Sequence, residues 1–450
     1  MSDIFAEGSL TIAASLAPGD SAGFFGLRSR SVSKCLQRDP RYISRSSNDP
    51  QLDKLWANLW VREQLSHETF GGGSQDPLFT RAWVLQELLL SKRILSLGTL
   101  EAQWYCKEAY ICECDASAGG SLALETGILL KTRTDLSLGQ RSYVSWYRIV
   151  EIYTALNLTV SNDRLPALSA LASLFARELQ SSYIAGLWRA DIGDGINWQV
   201  ARVSPGIGGL PNEYRAPSWS WASIDGAVTF DSSAPGHSGF ESPLKFRVWG
   251  ETDSHVRTET IPAREEITAT TTSISESAGS FRFTVHQATC EAEGVNKFGR
   301  VRGGVLRLTA NIVEANLFVP ALAAASTVES LRCEIRLPGN TQRIKHEART
   351  WSFLPDVPLA PSILKKESAE KLSLSVRRSR SFPNHGRVGF LGKVWLLPLT
   401  GWSYMVLGIP SPDLPKDTFE RIGVWQRDVR SESPWKQAYP VGESRTIAII

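Results

Sequence analysis

The sequence predicts an α+β protein, in which a partial α/β layer with helices precedes a β-rich C-terminal domain. Helical and strand-like patterns alternate over residues 1–115, which is typical of an α/β layer. Eight short strand-like runs with turn residues between them occupy residues 281–450 and indicate the β-rich domain. We expect a helical connector over 116–230 that ends in a Trp-rich strand, followed by a polar, mobile loop over 231–280.

The N-terminal layer is predicted from alternating strands and helices. A strand is expected over Leu10–Ala14, and the turn residues Pro18 and Gly19 follow it. Apolar residues at helical spacing predict an amphipathic helix over Leu52–Leu65. A shorter helix over residues 82–90 leads into a second strand at Ile94–Leu97. Helices and strands that alternate in this way indicate an α/β layer, here an incomplete one.

The connector is predicted to contain two helices and then a strand. The helices are expected at Tyr143–Leu156 and Asp163–Glu178, and Pro166 suits the first turn of the second, whose first residue can cap it. Near the end of the connector, serine and tryptophan alternate, and this period of two places Trp219 and Trp221 on the same face of a predicted strand. Two tryptophans on one face predict a large buried contact rather than a ligand platform.

The β-rich domain follows a polar stretch in which eight of the thirteen residues from 268 to 280 are serine or threonine. Its runs combine apolar and β-branched residues, and turn residues separate them. The predicted strands are Phe281–Val285, Val305–Ala310, Val313–Phe318, Cys333–Leu337, Val388–Leu391, Lys393–Leu397, Tyr404–Gly408 and Arg421–Trp425.

Composition excludes several classes of protein. A net charge of +3, from 49 basic and 46 acidic residues, offers no field for nucleic acid or an anionic membrane. No apolar run reaches the length of a membrane helix, and the acidic residues near the start lead us to expect no secretory signal. The six cysteines lack disulfide or zinc spacing, so we expect reduced thiols and a cytoplasmic protein. Cys106, Cys112 and Cys114 lie close together but lack a fourth ligand for zinc.

The most informative feature is a pair of polar residues, Gln86 and Glu87, inside the apolar helical run 82–90. Burying an ionised carboxylate without partners is costly, so it finds a donor, lines a cleft or shifts its pKa. Trp83 is one helical turn from Glu87, which places an indole beside the acid. Two interpretations follow: an acid in a cleft, or a structural ion pair with Arg81 or Arg93, which the pattern favours.

A second candidate site is the Gly-x-Ser-x-Gly sequence at residues 19–23, which follows a predicted strand. In hydrolases, this sequence forms the turn that exposes a serine nucleophile, here Ser21. The residues that follow do not form a clear helical pattern, and no histidine lies in a recognisable triad setting. The hydrolase interpretation is therefore the weaker one.

The run 81–93, with the strand behind it and then residues 103–106, resembles the heterokaryon-incompatibility (HET) domain family of filamentous fungi. Further resembling segments lie, in order, at 10–25, 158–167, 183–188 and 214–223, so that the resemblance covers about half of the chain. The resemblance implies a protein that triggers growth arrest or cell death when genetically different hyphae fuse. The matching motif residues are Arg81, Trp83, Gln86, Glu87, Trp104, Cys106, Ser218, Trp219, Ser220 and Trp221.

One departure from the family concerns the start of the domain. In the family, a strand and a second conserved segment precede the stretch that residues 1–6 resemble. The chain is therefore expected to be a truncated HET protein that lacks the N-terminal part of the domain.

The HET domain has been likened to the Toll/interleukin-1 receptor (TIR) fold, in which a Trp-x-x-x-Glu helix supplies the acid of NAD-cleaving enzymes. Trp83 and Glu87 have this spacing, so the resemblance implies a TIR-like layer with Glu87 as the candidate acid. A carboxylate there would stabilise the positive charge that develops on the ribose as nicotinamide leaves. Nucleotide-binding loops of that fold are absent from this sequence.

Three functional expectations follow from these residues. The first is a HET-like protein without cofactor that acts through protein partners of an incompatibility system, without nucleic acid or membrane. The second is a TIR-like NAD glycohydrolase that uses Glu87, with NAD as its substrate. The third is a serine hydrolase that uses Ser21.

Overall fold

The computed structural model describes two compact units of an α+β chain. One unit comprises Met1–Ser145 and Leu156–Thr159, and the other comprises Trp146–Ala155 and Val160–Ile450. Both helices and sheets are present, with many strands in a C-terminal sheet, which confirms the α+β class and the β-rich C-terminal part. The residues described are 2–22, 34–35, 60–61, 76–99, 101–106, 110–113, 143–201, 211–230, 283–319, 334–336, 351–356, 389–399, 403–411, 413–427 and 442–450.

The first unit contains a four-stranded sheet. Helix α1 is Ser2–Glu7, and helix α2 is Ala82–Leu90. The strands, in sheet order, are β1 (Thr11–Ala13), β4 (Ile94–Leu97), β5 (Ala102–Tyr105) and β6 (Tyr110–Cys112). Strands β1 and β4 are parallel, whereas β4–β5 and β5–β6 are antiparallel. The strands predicted at 10–14 and 94–97 and the helix at 82–90 are therefore confirmed.

The predicted helix over Leu52–Leu65 is wrong at the two positions that the structure describes. Trp60–Val61 forms the short strand β3, which pairs antiparallel with β2 (Lys34–Cys35). An aromatic and a β-branched residue favour extended backbone, and helical spacing over a short window does not exclude it.

The second unit begins with helices around an aromatic core. Helix α3 (Tyr143–Thr154) and helix α4 (Ser169–Leu179) agree with the predictions, although α4 begins later than expected. The residues before it form two short 3₁₀ turns, Ser161–Asp163 and Pro166–Leu168. Asp163 does not cap α4, because it lies in the first of these turns and Leu168 is the residue that precedes the helix. The Asp163 carboxylate accepts a hydrogen bond from Arg300 instead. Helix α5 is a single turn at Ile192–Gly195.

Two small β-ladders complete this part of the unit. Strands β7 (Tyr183–Ile184) and β8 (Leu187–Trp188) form a hairpin, and β9 (Trp198–Val200) pairs with β10 (Val228–Phe230). Five tryptophans in this region are fully buried and form its core together with residues of α3 and α4: Trp146, Trp188, Trp198, Trp219 and Trp221.

The Trp-rich segment at the end of the predicted connector is not a strand. Ser218 to Ser220 form a turn, and Trp221–Ser223 is a 3₁₀ turn whose first residue is preceded by Ser220 as N-cap. The Ser220 hydroxyl accepts a hydrogen bond from the Ala222 N–H at 3.0 Å. Such local side-chain bonds satisfy the backbone without a strand partner, and the alternation of Ser and Trp therefore misleads.

The C-terminal strands form the eight-stranded sheet of the second unit. The predicted runs at 305–310 and 313–318 are one strand, and so are those at 388–391 and 393–397. Two strands, at 351–355 and 443–449, were not predicted. The strands are β11 (Phe283–Ala292), β12 (Val301–Val319), β13 (Glu334–Arg336), β14 (Trp351–Pro355), β15 (Gly389–Pro398), β16 (Ser403–Gly408), β17 (Thr418–Arg427) and β18 (Glu443–Ile449).

Five of these strands form a closed ring of pairings. Strand β12 pairs with β15, and β15, β16 and β17 follow as antiparallel neighbours. Strand β18 closes the ring because it pairs parallel with β17 and antiparallel with β12. Buried apolar residues of β12, β13, β15, β16 and β17 pack into one cluster. In the part of the chain that the structure describes, no helix combines the length and the apolar composition that a membrane span requires.

Candidate functional site

Helix α2 carries the residues that the sequence singled out, and it exposes only one side. Its buried residues include Gln86, which is 5 % exposed, and five apolar neighbours. Trp83, Glu87 and Leu90 are the partly exposed members. They are spaced by four and three residues and therefore share one face of the helix. With the exposed Arg81 just before the helix, these residues form what we call the α2 stripe.

Backbone bonds hold the start of α2 in place. The Ala82 N–H donates to the Asn157 carbonyl at 2.9 Å, and the Asn157 N–H donates to the Thr80 carbonyl at 2.7 Å. Arg81 itself has extended backbone, so its side chain leaves the chain immediately before the first helical turn. The stripe therefore begins at a fixed position.

The end of α2 is tied to strand β1. The Ser91 hydroxyl donates to the Glu87 carbonyl at 2.7 Å, and its oxygen lies 2.8 Å from the Thr11 hydroxyl. Thr11 is the first residue of β1 and pairs with Ile94 at the start of β4. The helix that presents Glu87 is thus anchored at both ends.

Burial raises the pKa of the Glu87 carboxyl, and the charge of Arg81 opposes this effect. The described contacts contain no salt bridge between the two side chains. Arg93, the other predicted partner, donates to the Ser9 carbonyl at 3.4 Å. Glu87 is therefore a half-buried acid influenced by one nearby cation, a state between the two interpretations drawn from the sequence.

Two further motif residues lie on or next to strand β5. Trp104 is half-buried and stands opposite Leu95 of β4 and Ile111 of β6. Cys106 follows the strand directly and is also half-buried. These residues belong to the sheet of the first unit, whereas the α2 stripe lies on its helix.

The serine of the Gly-x-Ser-x-Gly sequence lies in an open surface turn. Ser21 is exposed within a 3₁₀ turn, Asp20–Ala22, that contains no buried residue. Among the described residues the only histidine is His286, whose Nε2 lies 2.7 Å from the Thr309 hydroxyl. A nucleophile elbow needs a sharp turn from a strand into a helix, and residues 23–33, where such a helix would begin, lie outside the described residues.

The motif residues Ser218 to Trp221 occupy the interior of the second unit. The Ser220 hydroxyl donates to the Ala185 carbonyl, and Trp221 Nε1 donates to the Gly186 carbonyl at 3.0 Å. Trp146 Nε1 donates to the same carbonyl at 2.9 Å. The two indoles therefore fix the turn of the β7–β8 hairpin.

Ser218 connects this segment to the C-terminal strands. Its hydroxyl accepts a hydrogen bond from the Arg421 N–H at 2.9 Å and donates to the Ile450 carbonyl. The Trp219 carbonyl accepts a bond from Trp198 Nε1 at 2.9 Å. Both serine hydroxyls and the Trp221 indole thus bond to the protein itself, whereas the buried Trp219 Nε1 has no hydrogen-bond partner among the described residues. The role of the segment is structural.

Two buried arginines that were not singled out from the sequence complete this interior. Arg215 donates to the carbonyls of Ala222 and Ile224 at 2.6 Å each, and pairs with Asp225 at 2.6 Å. Its position within the Tyr-Arg-Ala-Pro-Ser-Trp segment was the available signal. Buried guanidinium groups need such a full set of acceptors.

Arg421 is another of the buried arginines. It donates from Nε to Asp356 at 2.8 Å and from a terminal nitrogen to the same carboxylate at 3.1 Å. The guanidinium carbon lies 3.5 Å from the ring centroid of Trp198, and the Ile196 carbonyl accepts a further bond at 2.7 Å. No local sequence pattern reveals this pair, because its members lie 65 residues apart.

The motif residues therefore separate into a partly exposed stripe on α2 and an internal scaffold around Ser218 and Trp221. No group of three or more His, Cys, Asp or Glu side chains in the described ranges is placed to hold a metal ion. No protein-family model, curated protein or solved structure matches the chain.

Proposed function

We propose that the chain is a HET-like protein of fungal non-self recognition that acts in the cytoplasm through protein contacts made by the α2 stripe. The observation that carries this proposal is that the only partly exposed side of α2 presents Trp83, Glu87 and Leu90, with Arg81 beside them. Tryptophan and arginine supply much of the binding energy at protein interfaces. The stripe thus offers an apolar contact flanked by both signs of charge.

A TIR-like layer is part of the proposal. Its support is the parallel pairing of β1 with β4, with α2 between them along the chain. This is the arrangement of a strand–helix–strand unit in α/β folds.

The alternative function is NAD cleavage with Glu87 as the acid. The observation in its favour is the half-buried carboxyl, since catalytic acids are found in such environments. Against it, a carboxylate that stabilises a cationic ribose must be ionised, and burial raises the pKa of Glu87. Protein contact through the α2 stripe does not require the Glu87 carboxyl to be ionised.

Expression in a filamentous fungus separates the two functions when growth arrest and cell death are scored. We expect Trp83→Ala to abolish the response, because truncating an interface tryptophan costs about 2 kcal/mol or more, roughly 30-fold in affinity. Glu87→Gln keeps the shape of the side chain and should retain most of the response. Ile111→Ala, which alters an exposed apolar residue of the same unit outside the stripe, is the matched control.

A second measurement tests the alternative directly. Purified wild-type protein and Glu87→Gln are incubated with NAD, and released nicotinamide is quantified. We expect no difference between them. Nicotinamide release that depends on Glu87, together with loss of the cellular response in Glu87→Gln, would replace the contact mechanism with NAD cleavage.

A further inference from the structure

Two carboxyl groups of the second unit bond to neighbouring elements through one helix. On α3, the Glu151 carboxylate accepts a hydrogen bond from the Phe230 N–H of β10 at 2.8 Å. Tyr147, one turn earlier, donates from its hydroxyl to the Asp191 carboxylate in the 3₁₀ turn Arg189–Asp191. The rings of Tyr147 and Phe230 are stacked with centroids 4.3 Å apart. The four residues therefore form one connected cluster.

The cluster contains little positive charge to balance these acids. Burial raises the pKa of Glu151 to about 7, and Arg148 on the same helix opposes this only in part. Burial also raises the pKa of Asp191 to about 7, and the nearby Asp194 adds to the shift while the Tyr147 bond reduces it. Strands β9 and β10 contain no ionisable side chain. Within the described residues, neither acid forms a salt bridge.

We propose that Glu151 and Asp191 form a proton-controlled latch, which holds β10 and the 189–191 turn against α3 when the two carboxyls are protonated and loosens when they ionise. In the protonated state each group keeps a carbonyl oxygen for its donor, Phe230 N–H or the Tyr147 hydroxyl. In the ionised state, each carboxylate carries a negative charge in a poorly solvated position. The carboxylate of Asp191 is also repelled by the nearby Asp194. Local opening relieves both costs because it returns the carboxylates to water.

The direction of the pH dependence follows from proton binding. The folded pKa values, about 7, exceed the ordinary values of 4.5 and 3.8, so the closed latch binds protons that the open one releases. The stabilisation is complete below the ordinary values and is lost as the pH rises through about 7. The latch is therefore closed in mild acid and loosened in mild alkali.

Hydrogen exchange of the Phe230 amide tests the latch. We expect its protection factor in the full-length protein to fall about tenfold per carboxyl between about pH 6 and about pH 8. The variant Glu151→Gln/Asp191→Asn keeps both acceptor oxygens but cannot titrate, so its protection factor should stay flat. Glu293→Gln, which alters an exposed acid of the same unit, should keep the wild-type slope.

Single variants keep the test decisive if the double variant does not fold. Glu151→Gln and Asp191→Asn should each remove about half of the logarithmic slope, because each removes one of two titrating groups. A flat wild-type profile would overturn the latch. A wild-type slope that persists in both single variants would overturn it as well, whether or not the double variant folds.

Discussion

Gly186 is a single residue on which the aromatic interior depends. Its carbonyl accepts bonds from both Trp146 and Trp221, and its φ of +93° lies in the left-handed region. A Cβ at this position would lie 2.7 Å from Nε1 of Trp221. A side chain there would therefore meet both backbone strain and a buried ring that has no room to move.

We predict that Gly186→Ala lowers the free energy of unfolding by about 3 kcal/mol, the sum of left-handed strain and overpacking. Gly294→Ala is a matched control, since its φ is +81° but no atom lies within 4 Å of the added Cβ. It should cost only the strain, about 1 kcal/mol. Urea unfolding measures both, and equal losses would show that the Trp221 contact is unimportant.

The environment of Glu87 shows what a single residue's sequence context can predict. An apolar run around the whole helix predicted burial, and α2 is indeed buried on most of its surface. The partial exposure of Trp83 and Glu87 was not predictable, because it depends on which side the rest of the unit covers. Nor was it predictable that Arg81, and not Arg93, would influence the pKa of Glu87, because this depends on the position of Arg81 immediately before the first helical turn.

At the scale of elements, the sequence predicted where strands lie but not which strands pair with each other. Strand β12 was predicted as two strands because it changes neighbours near its middle. Up to Ile312 it pairs with β11 and β18, and from Val313 it pairs with β15. Periodicity reports the side that is buried and carries no information about the partner strand.

The Trp219 and Trp221 segment failed as a strand prediction for a different reason. Alternation of serine and tryptophan fits a half-buried strand, but each serine hydroxyl here bonds to backbone groups instead. One of these bonds, to the Ala222 N–H, is local, but the bonds from Ser220 to Ala185 and from Ser218 to Arg421 span 35 and 203 residues of the chain. Contacts of this length are invisible in a local pattern.

The 3₁₀ turn after Ser220 gives a prediction at the element scale. We expect Ser220→Ala to lower the free energy of unfolding by about 1–3 kcal/mol. The substitution removes the hydroxyl that accepts a bond from the Ala222 N–H at the start of the turn, and it leaves the Ala185 carbonyl without this donor. Ser223→Ala is the control, since the Ser223 hydroxyl makes only a long bond of 3.5 Å to the Ser218 carbonyl. Thermal unfolding compares the two, and an equal loss in both variants would contradict the capping role.

At the scale of the whole molecule, the compact units differ from the four predicted segments. Residues 160–230 and the C-terminal strands belong to the same unit, although a long polar stretch separates them in sequence. Bonds from Ser218 to Arg421 and Ile450, and from Arg421 to the carbonyls of Ile196 and Trp198, explain this. The stretch 231–280, predicted to be a polar, mobile loop, lies outside the described residues, and no boundary between the two units falls there.

The buried pair of Arg421 and Asp356 should therefore control the stability of the second unit as a whole. Its arginine is fully enclosed on strand β17 and stacks on Trp198. The guanidinium also donates to the carbonyls of Ile196 and Trp198, which lie before and at the start of β9. Breaking a buried pair leaves an uncompensated charge, which costs roughly 3–5 kcal/mol. We predict that Arg421→Ala lowers the free energy of unfolding by this amount and weakens the attachment of the aromatic core to the sheet.

Arg300→Ala is the control for this prediction, because Arg300 pairs with Asp163 at 3.0 Å in the same unit but with 45 % of its side chain exposed. Surface pairs contribute about 0–1 kcal/mol, so this variant should unfold close to the wild type. Urea unfolding followed by tryptophan fluorescence measures both variants, since Trp198 and four other fully buried tryptophans of this unit contribute to the signal of the chain's 15 tryptophans. If both variants lost the same small amount, the Arg421 pair would be a local contact, and the aromatic core and the strand ring would be stable independently of each other.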